Sequence, residues 1–380
     1  MQSLPYTANP LDFAVSRSDD YSIHFGGEGG LAAWVEQCAQ GGRVFILADQ
    51  NAWEHHHVRV CKELEPLGAT PAVIPFCGGE SGKSWQQAGE ILDRLASCGF
   101  RRRDLLLLFG GGVICDAGGL VASLFMRGVP YALIPTTVMA QVDASIGGKV
   151  AVNHASAKNL IGAFHHPRGV WIDPTYCATT CRPERANGFA EMVKVALLDG
   201  EAALQLMEQG LPHLLAGRMA HPAVRAAIRE AVRIKLDLLR PDPFEEDLDR
   251  VLNLGHAVGH ALETAEAYRN TRHGFAVAVG LSVAARLSTE RGYWDKACED
   301  RVVQLLHAAG LPTSADRVTA SSVWQHLQII RRIRGGVLRE VLLEAPGKCR
   351  IVENIGLDEL LQAYAPRRHQ PVRELECGSA

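Results

Sequence analysis

The chain of 380 residues contains no run of about 18 apolar side chains, so nothing in it reads as a membrane-spanning helix. It also lacks a charge excess of either sign. A formal net charge of −3 disfavours nucleic acid as a partner, because polyelectrolyte binding needs a basic face. The first residues, MQSLPYTANPLDF, show no basic stretch followed by an apolar one, so secretion is not expected. No two of the ten cysteines form a CxxC pair, Cys177 and Cys181 being the nearest neighbours. Such spacing predicts reduced, partly buried thiols in a cytoplasmic protein rather than a disulfide framework. GxGxxG and HExxH are absent too, which removes the standard dinucleotide and zinc-protease fingerprints.

What is present divides the chain in two. Val44–Ala48, Ala72–Pro75, Leu105–Phe109 and Tyr131–Ile134 are short apolar runs bounded by Gly, Pro or Asp, as buried strands are. Trp85–Ser97 and Ala117–Phe125 between them have helical spacing, and this alternation predicts a parallel sheet covered on both faces. From about Pro183 onward, Ala202–Leu211, Pro222–Leu239, Phe275–Arg291 and Glu299–Ala309 read as successive helices. The expected architecture is an α/β nucleotide-binding domain over residues 1–180 and an all-α metal-binding domain over 181–380. No repeat or low-complexity linker separates them, so close packing is expected, with a frayed polar tail from residue 366.

Leu105–Phe109 runs into Gly110-Gly111-Gly112-Val113 and Asp116. A glycine turn between strand and helix lets backbone N–H groups approach a phosphate at the positive end of the helix dipole. Thr136-Thr137 end the next strand, Asp49 ends an earlier one, and Gly79-Glu80-Ser81-Gly82-Lys83 follows another. Polar groups gathered at strand C-termini point to a nucleotide.

Gly255-His256-Ala257-Val258-Gly259-His260 sets two histidines one helical turn apart. Ala190-Glu191-Met192-Val193-Lys194 offers a carboxylate and an amine, and Arg272-His273-Gly274 a third histidine at a helix start. One Glu and two His with open positions suit a catalytic divalent ion such as zinc. His55-His56-His57 and His165-His166 read instead as solvated surface. Arg127, Asp143, Lys149, Lys158-Asn159 and Lys194 put fixed charge among small residues, which suits a phosphorylated, anionic substrate.

Taken in order, GGGVICDAGGLVASLFMRGVPYALIPTTVMAQVDASIGGKVAVNHASAKNLIGAFHHP, GFAEMVKVALL, LNLGHAVGHALE and RHGFAVAVGL resemble dehydroquinate synthase and its sugar phosphate cyclase relatives. The likeness spans roughly residues 40–290. It implies a homodimeric, NAD- and metal-dependent lyase, with NAD in the first part and zinc or cobalt in the second. Glu191, His256 and His273 match the family's metal ligands. Asp49, Glu80, Lys83, Gly111, Gly112, Val113, Asp116, Thr136, Thr137 and Thr179 match its cofactor contacts, with Lys158 beside them. Asp143, Lys149, Asn159, Lys194, Lys235, Asn253 and His260 match substrate-binding or catalytic positions. Lys149, Asn159 and His260 would hold phosphate, together with Arg127 delivered across the dimer and Arg339 in place of a lysine. The implied chemistry is transient oxidation by NAD, loss of phosphate, return of the hydride and an intramolecular aldol closure. The retained HxxxH pair and lysines argue against an inactive relative.

The pattern breaks at two places. Counting back from His256, the arginine that helps dehydroquinate synthases bind a substrate carboxylate is replaced by Asp249, although a slip of one residue would bring Arg250 there instead. Phe275 stands where the family usually has glutamate. An aspartate repels a carboxylate and accepts hydrogen bonds from hydroxyls. The expected substrate is therefore a C7 keto-sugar phosphate without a carboxylate, such as sedoheptulose 7-phosphate, and the product an epi-valiolone-type cyclitol. Two features favour the alternative, a 3-dehydroquinate synthase. Lys235, the other carboxylate partner, is kept, and so is His260, from which 2-epi-5-epi-valiolone synthases depart. Asn253 disfavours a 2-deoxy-scyllo-inosose synthase, which tends to carry glutamate there. An iron-containing alcohol dehydrogenase, of similar fold and GGG turn, is disfavoured by the lysines. A non-catalytic binding protein would have to lack NAD affinity or metal.

Overall fold

The four apolar runs form strands, and they do so as a computed structural model that describes residues 20–365 apart from 28–29, 69, 155–156, 248, 267–270, 316 and 334–335. The polar tail from residue 366 lies outside the described residues. The first half holds β1 (Ser22–Phe25), β2 (Val44–Asp49), β3 (Ala72–Phe76), β4 (Leu105–Gly110), β5 (Tyr131–Pro135), β6 (Lys149–His154), β7 (Ala157–Phe164) and β8 (Gly169–Ile172). Six of them make a parallel sheet in the order β1-β8-β5-β4-β2-β3, while β6 and β7 pair as a separate antiparallel hairpin.

Helices α1 (Leu31–Ala39), α2 (Gln50–Leu64), α3 (Trp85–Ser97) and α4 (Gly112–Leu124) cover the sheet. Successive strand side chains point to opposite faces. In β4, Leu105, Leu107 and Phe109 accordingly join Trp34 and Val35 of α1 and Val60 of α2. Leu106 and Leu108 join Ile91 of α3 and Leu120 of α4. Burial on both faces is why this strand is an unbroken apolar run rather than an alternating one. Helix α4 begins at the glycine turn, earlier than the pattern from Ala117 predicts.

The second half is built on α5 (Arg182–Asp199), buried along most of its length and packed against α6 (Glu201–Leu215), α7 (Pro222–Leu239) and, beyond α8 (His256–Ala265), α9 (His273–Glu290). After α10 (Lys296–Ala308) and α11 (Ala320–Ile333) come a hairpin, β9 (Glu340–Ala345) with β10 (Lys348–Val352), and α12 (Leu357–Tyr364). Gly274 permits the close approach of α9 to α5, since a Cβ there would stand 1.9 Å from the Asn187 carbonyl oxygen.

Three sequence expectations need correction. His56 is buried, with its ring edge-on to Tyr176 and Nε2 3.1 Å from the Tyr176 carbonyl, because α2 turns that face onto the sheet. His165 stacks on Tyr131 and hydrogen-bonds the Val129 carbonyl, so it supports the end of β5 rather than facing solvent alone. The β9–β10 hairpin interrupts the helices of the second half, which is therefore not all-α, while eight cysteines among the described residues are free.

Candidate active site

The carboxyl ends of the adjacent strands β2, β4 and β5 bring Asp49, the glycine turn and Thr136-Thr137 together. Gly110 has φ 154°, and a Cβ there would lie 2.6 Å from the Asp49 Cβ, so only glycine fits this crossing. Gly111 passes Thr137 less tightly, a Cβ there standing 3.2 Å from Thr137 Cγ2, and Gly112 and Val113 open α4 with the N–H groups of its first turn directed outward. Asp49 caps α2 by accepting the Ala52 N–H, and Thr137 accepts that of Ala140. Lys83 donates to Asp116 at 2.5 Å. Burial pushes the Asp116 carboxyl up, and Lys83 opposes that. Thr179 follows β8 and meets His56 Nε2 at 3.1 Å. This edge is the place where open parallel sheets bind nucleotides.

On the helical side, Glu191 Oε1 lies 3.3 Å from His273 Nε2 and 3.6 Å from His256 Nε2. Both rings are anchored through the other nitrogen: His256 Nδ1 to the Leu254 carbonyl and His273 Nδ1 to Glu263, each at 3.2 Å. That arrangement turns two lone pairs and a carboxylate on one point. Four-coordinate zinc, with ligands about 2.0–2.2 Å away, sets neighbouring donor atoms roughly 3.3–3.5 Å apart. Neither Glu191 oxygen completes a well-angled hydrogen bond, although both are buried and Lys194 Nζ stands 2.6 Å from Oε2. Burial pushes His273 down, but the close Glu191 carboxylate and the hydrogen bond to Glu263 prevail and raise it to about 10. Burial and the Lys194 ammonium hold His256 well below the usual imidazole range. Buried carboxylates here call for positive charge between them, and the donor set fits a divalent cation. His260 completes a second grouping with Glu263 and His273, its ring 5.2 Å from that of His256.

A single π-helical turn, Ala140–Ala144, carries Asp143 to α7, where Lys235 Nζ donates to its carboxylate at 2.5 Å and its carbonyl at 2.6 Å. Burial pushes the Asp143 carboxyl up, but Lys235 prevails and holds it at about 2. Lys149, at the base of the β6–β7 hairpin, meets Glu245 at 2.9 Å, and Arg250 takes the other Glu245 oxygen. Lys149 and Lys194 each lie close enough to repel Lys235. Asn253 is half-buried in the turn before α8, and Asn159, at φ 55°, donates its N–H to the Asn153 side chain.

Arg250, rather than Asp249, joins this cluster. Asp249 is half-exposed and pairs with Arg339, which also reaches Glu353 at 3.3 Å. Asp249, expected at the substrate head group, is thus placed beside Arg339 and outside the Lys149–Glu245–Arg250 cluster. Arg127 is exposed in the turn after α4 and has no ion pair with the cluster among the described residues. Phe275 packs beneath the Arg272 guanidinium, 5.7 Å from its ring. Two residues were not anticipated. Glu263 could have been found as the third member of the His256–His260 face, whereas Glu245 sits in an irregular loop at φ 52° with no pattern to mark it.

Comparison with known proteins agrees with this geometry. The 3-dehydroquinate synthase N-terminal family matches residues 73–187 and the corresponding C-terminal family residues 188–332. A 2-epi-valiolone synthase of Actinosynnema mirum is 38% identical over 371 residues, 96% of each chain. A 3-dehydroquinate synthase of Neisseria meningitidis is 38% identical over 327 residues, 86% of this chain and 90% of its own. The 2-epi-5-epi-valiolone synthase of Streptomyces hygroscopicus, solved with NAD+ and Zn2+, superposes with a TM-score of 0.86 at 27% identity, covering 93% of this chain and 98% of its own. With both halves matched and the ligand geometry in place, the chain belongs to the 3-dehydroquinate synthase family of sugar phosphate cyclases.

Proposed function

We propose that the protein converts a C7 keto-sugar phosphate without a carboxylate, sedoheptulose 7-phosphate above all, into an epi-valiolone-type cyclitol and inorganic phosphate. One observation carries this reading: among the described residues, the cations of this cluster are already paired with carboxylates. Arg250 is engaged by Glu245, Lys235 by Asp143, and Asp249 stands at the rim with Arg339. A hydroxyl-bearing head group can exchange hydrogen bonds with such ion pairs, whereas an added carboxylate would compete with Glu245 or Asp143 for their cations. The 2-epi-valiolone synthase that covers 96% of the chain supports the same choice.

In this reading NAD lies across Asp49, Glu80, Lys83, Gly111–Val113, Asp116, Thr136, Thr137, Lys158 and Thr179, and a divalent ion, zinc or cobalt, lies on Glu191, His256 and His273. When bound, these groups supply reversible hydride transfer and charge for the reacting oxygens, so NAD is regenerated and no NADH accumulates. Asp143 and Lys235 orient substrate hydroxyls, and Lys194 holds positive charge beside Glu191. Lys149, Asn159 and His260 receive the phosphate, and exposed Arg127 reaches the phosphate site of a second copy in a homodimer. Asn253 contacts the ring from the turn before α8.

The test is phosphate release from sedoheptulose 7-phosphate and, separately, from the carboxylate-bearing 3-deoxyheptulosonate 7-phosphate, with NADH followed at the same time. Release from the first without net NADH is expected. Turnover of the carboxylate substrate alone makes the protein a 3-dehydroquinate synthase, and stoichiometric NADH makes it a dehydrogenase.

A further inference from the structure

A line of polar side chains runs outward from the cation site. His273 turns Nε2 to Glu191 and Nδ1 to Glu263 Oε2. Glu263 is buried on the same face of α8 as His256 and His260. Its other oxygen accepts from Lys158 Nζ at 3.2 Å. The same ammonium lies 3.5 Å from Glu80 Oε1, which also accepts from the Asn153 side chain at 2.8 Å. Glu80 occupies the turn after β3 at the carboxyl edge of the sheet, and the Asn153 N–H donates to the Lys83 carbonyl of that turn. One ammonium on the β6–β7 hairpin therefore bridges a carboxylate of the cation-binding helices and a carboxylate of the nucleotide edge.

A carboxylate that accepts the Nδ1–H of a ligating histidine fixes its tautomer and ring orientation and makes Nε2 a better donor. Glu263 is placed to do this for His273, and Lys158 compensates the cost of burying its charge. An anionic dinucleotide at the sheet edge would draw on the same ammonium that Glu80 and Glu263 share. It would also add negative charge near the cation, so each ligand should favour the other. We propose that Glu263 is a positioning residue for His273 and that Lys158 and Glu80 link the two sites, so that NAD and the divalent cation bind with positive cooperativity. The proposal rests on the cyclase reading above.

The experiment is Co2+ titration of the metal-free full-length protein, with and without NAD+, read by the visible Co2+ absorption band and by competition with a chromophoric chelator. In the unmodified protein NAD+ should tighten Co2+ by about 5-fold or more, within the usual range of site-to-site coupling. Glu263→Gln should weaken Co2+ by about 10- to 100-fold and shift the band. Glu80→Gln, at a side chain 43% exposed, should keep Co2+ binding without NAD+ but lose the gain at NAD+ concentrations shown by fluorescence quenching to saturate each variant; Lys158→Met should lose it too under the same condition. A Glu263→Gln protein with unchanged Co2+ affinity and spectrum overturns the positioning role. An undiminished NAD+ effect in Glu80→Gln and Lys158→Met, or none in the unmodified protein, overturns the link. An unmodified protein that binds no Co2+ at all sinks the cyclase reading as well.

Discussion

Glu340 opens β9 with its side chain almost wholly buried, and its Oε1 has no hydrogen-bond partner among the described residues. Burial raises its carboxyl from 4.5 to about 8, against a small opposing pull from the Val341 N–H. The folded-state value is raised, so the sign is that of a destabilised anion. Below pH 4.5 the group is protonated in both states and costs nothing. As pH climbs toward 8 the unfolded chain ionises while the folded one does not. Stability is then lost at about 1.4 kcal/mol per pH unit. Replacing Glu340 by Gln keeps the size and removes the titration. The gain should rise from about 0.8 kcal/mol at pH 5 to about 4 kcal/mol at pH 8, taking the full shift as an upper bound. Urea unfolding of both proteins at pH 5, 6.5 and 8 measures it. A gain that is the same at all three pH values, or a loss, refutes the reasoning, because then Glu340 is ionised and compensated in the folded state.

Three further perturbations test the site. Lys235→Met leaves the Asp143 carboxylate without its cation, which costs about 3–5 kcal/mol and abolishes phosphate release. Adding Asp143→Asn should recover the urea midpoint but not turnover, and recovery of both would remove the pair from catalysis. Gly110→Ala drives a Cβ to 2.6 Å from that of Asp49, so NAD+ affinity by fluorescence quenching should fall at least roughly tenfold, about 1.4 kcal/mol, while Co2+ still binds. Unchanged NAD+ affinity would falsify the placement of the cofactor at this turn. Asp249→Arg replaces the rim carboxylate beside the cluster with a cation and releases Arg339. The kcat/KM ratio of the carboxylate-bearing over the uncharged heptulose phosphate should rise by about tenfold, and no change assigns specificity elsewhere.

Much of this molecule is legible in its sequence because its signals are local. Strands β2 to β5 announce themselves as apolar runs closed by Gly, Pro or Asp, and helices α3 and α7 have the predicted bounds. Strands β1 and β8 escaped notice because four residues show no period, and the β6–β7 hairpin because its alternation is interrupted by the charges that serve the site. The residues of the cation site could be named from motifs, but their support could not. Glu263 matters only because α9 lies against α8 closely enough that a Cβ at Gly280 would stand 1.8 Å from the Gly255 carbonyl oxygen. The choice between Asp249 and Arg250 shows the same limit more sharply. Counting from His256 gives a position along the chain, but not the side on which its side chain falls. Arg250 has extended backbone angles, φ −114° and ψ 122°, and along an extended segment neighbouring side chains point to opposite sides. A single residue of parity therefore sends one of the pair to Glu245 and Lys149 and the other to Arg339. That parity is set by how the loop from Asp242 enters the turn at Val251, held by backbone hydrogen bonds from Glu246 and Asp247 to the Asp242 carboxylate. On the proposed reading, substrate choice would depend on a loop conformation, which is why the family could be read from motifs while the head group could not.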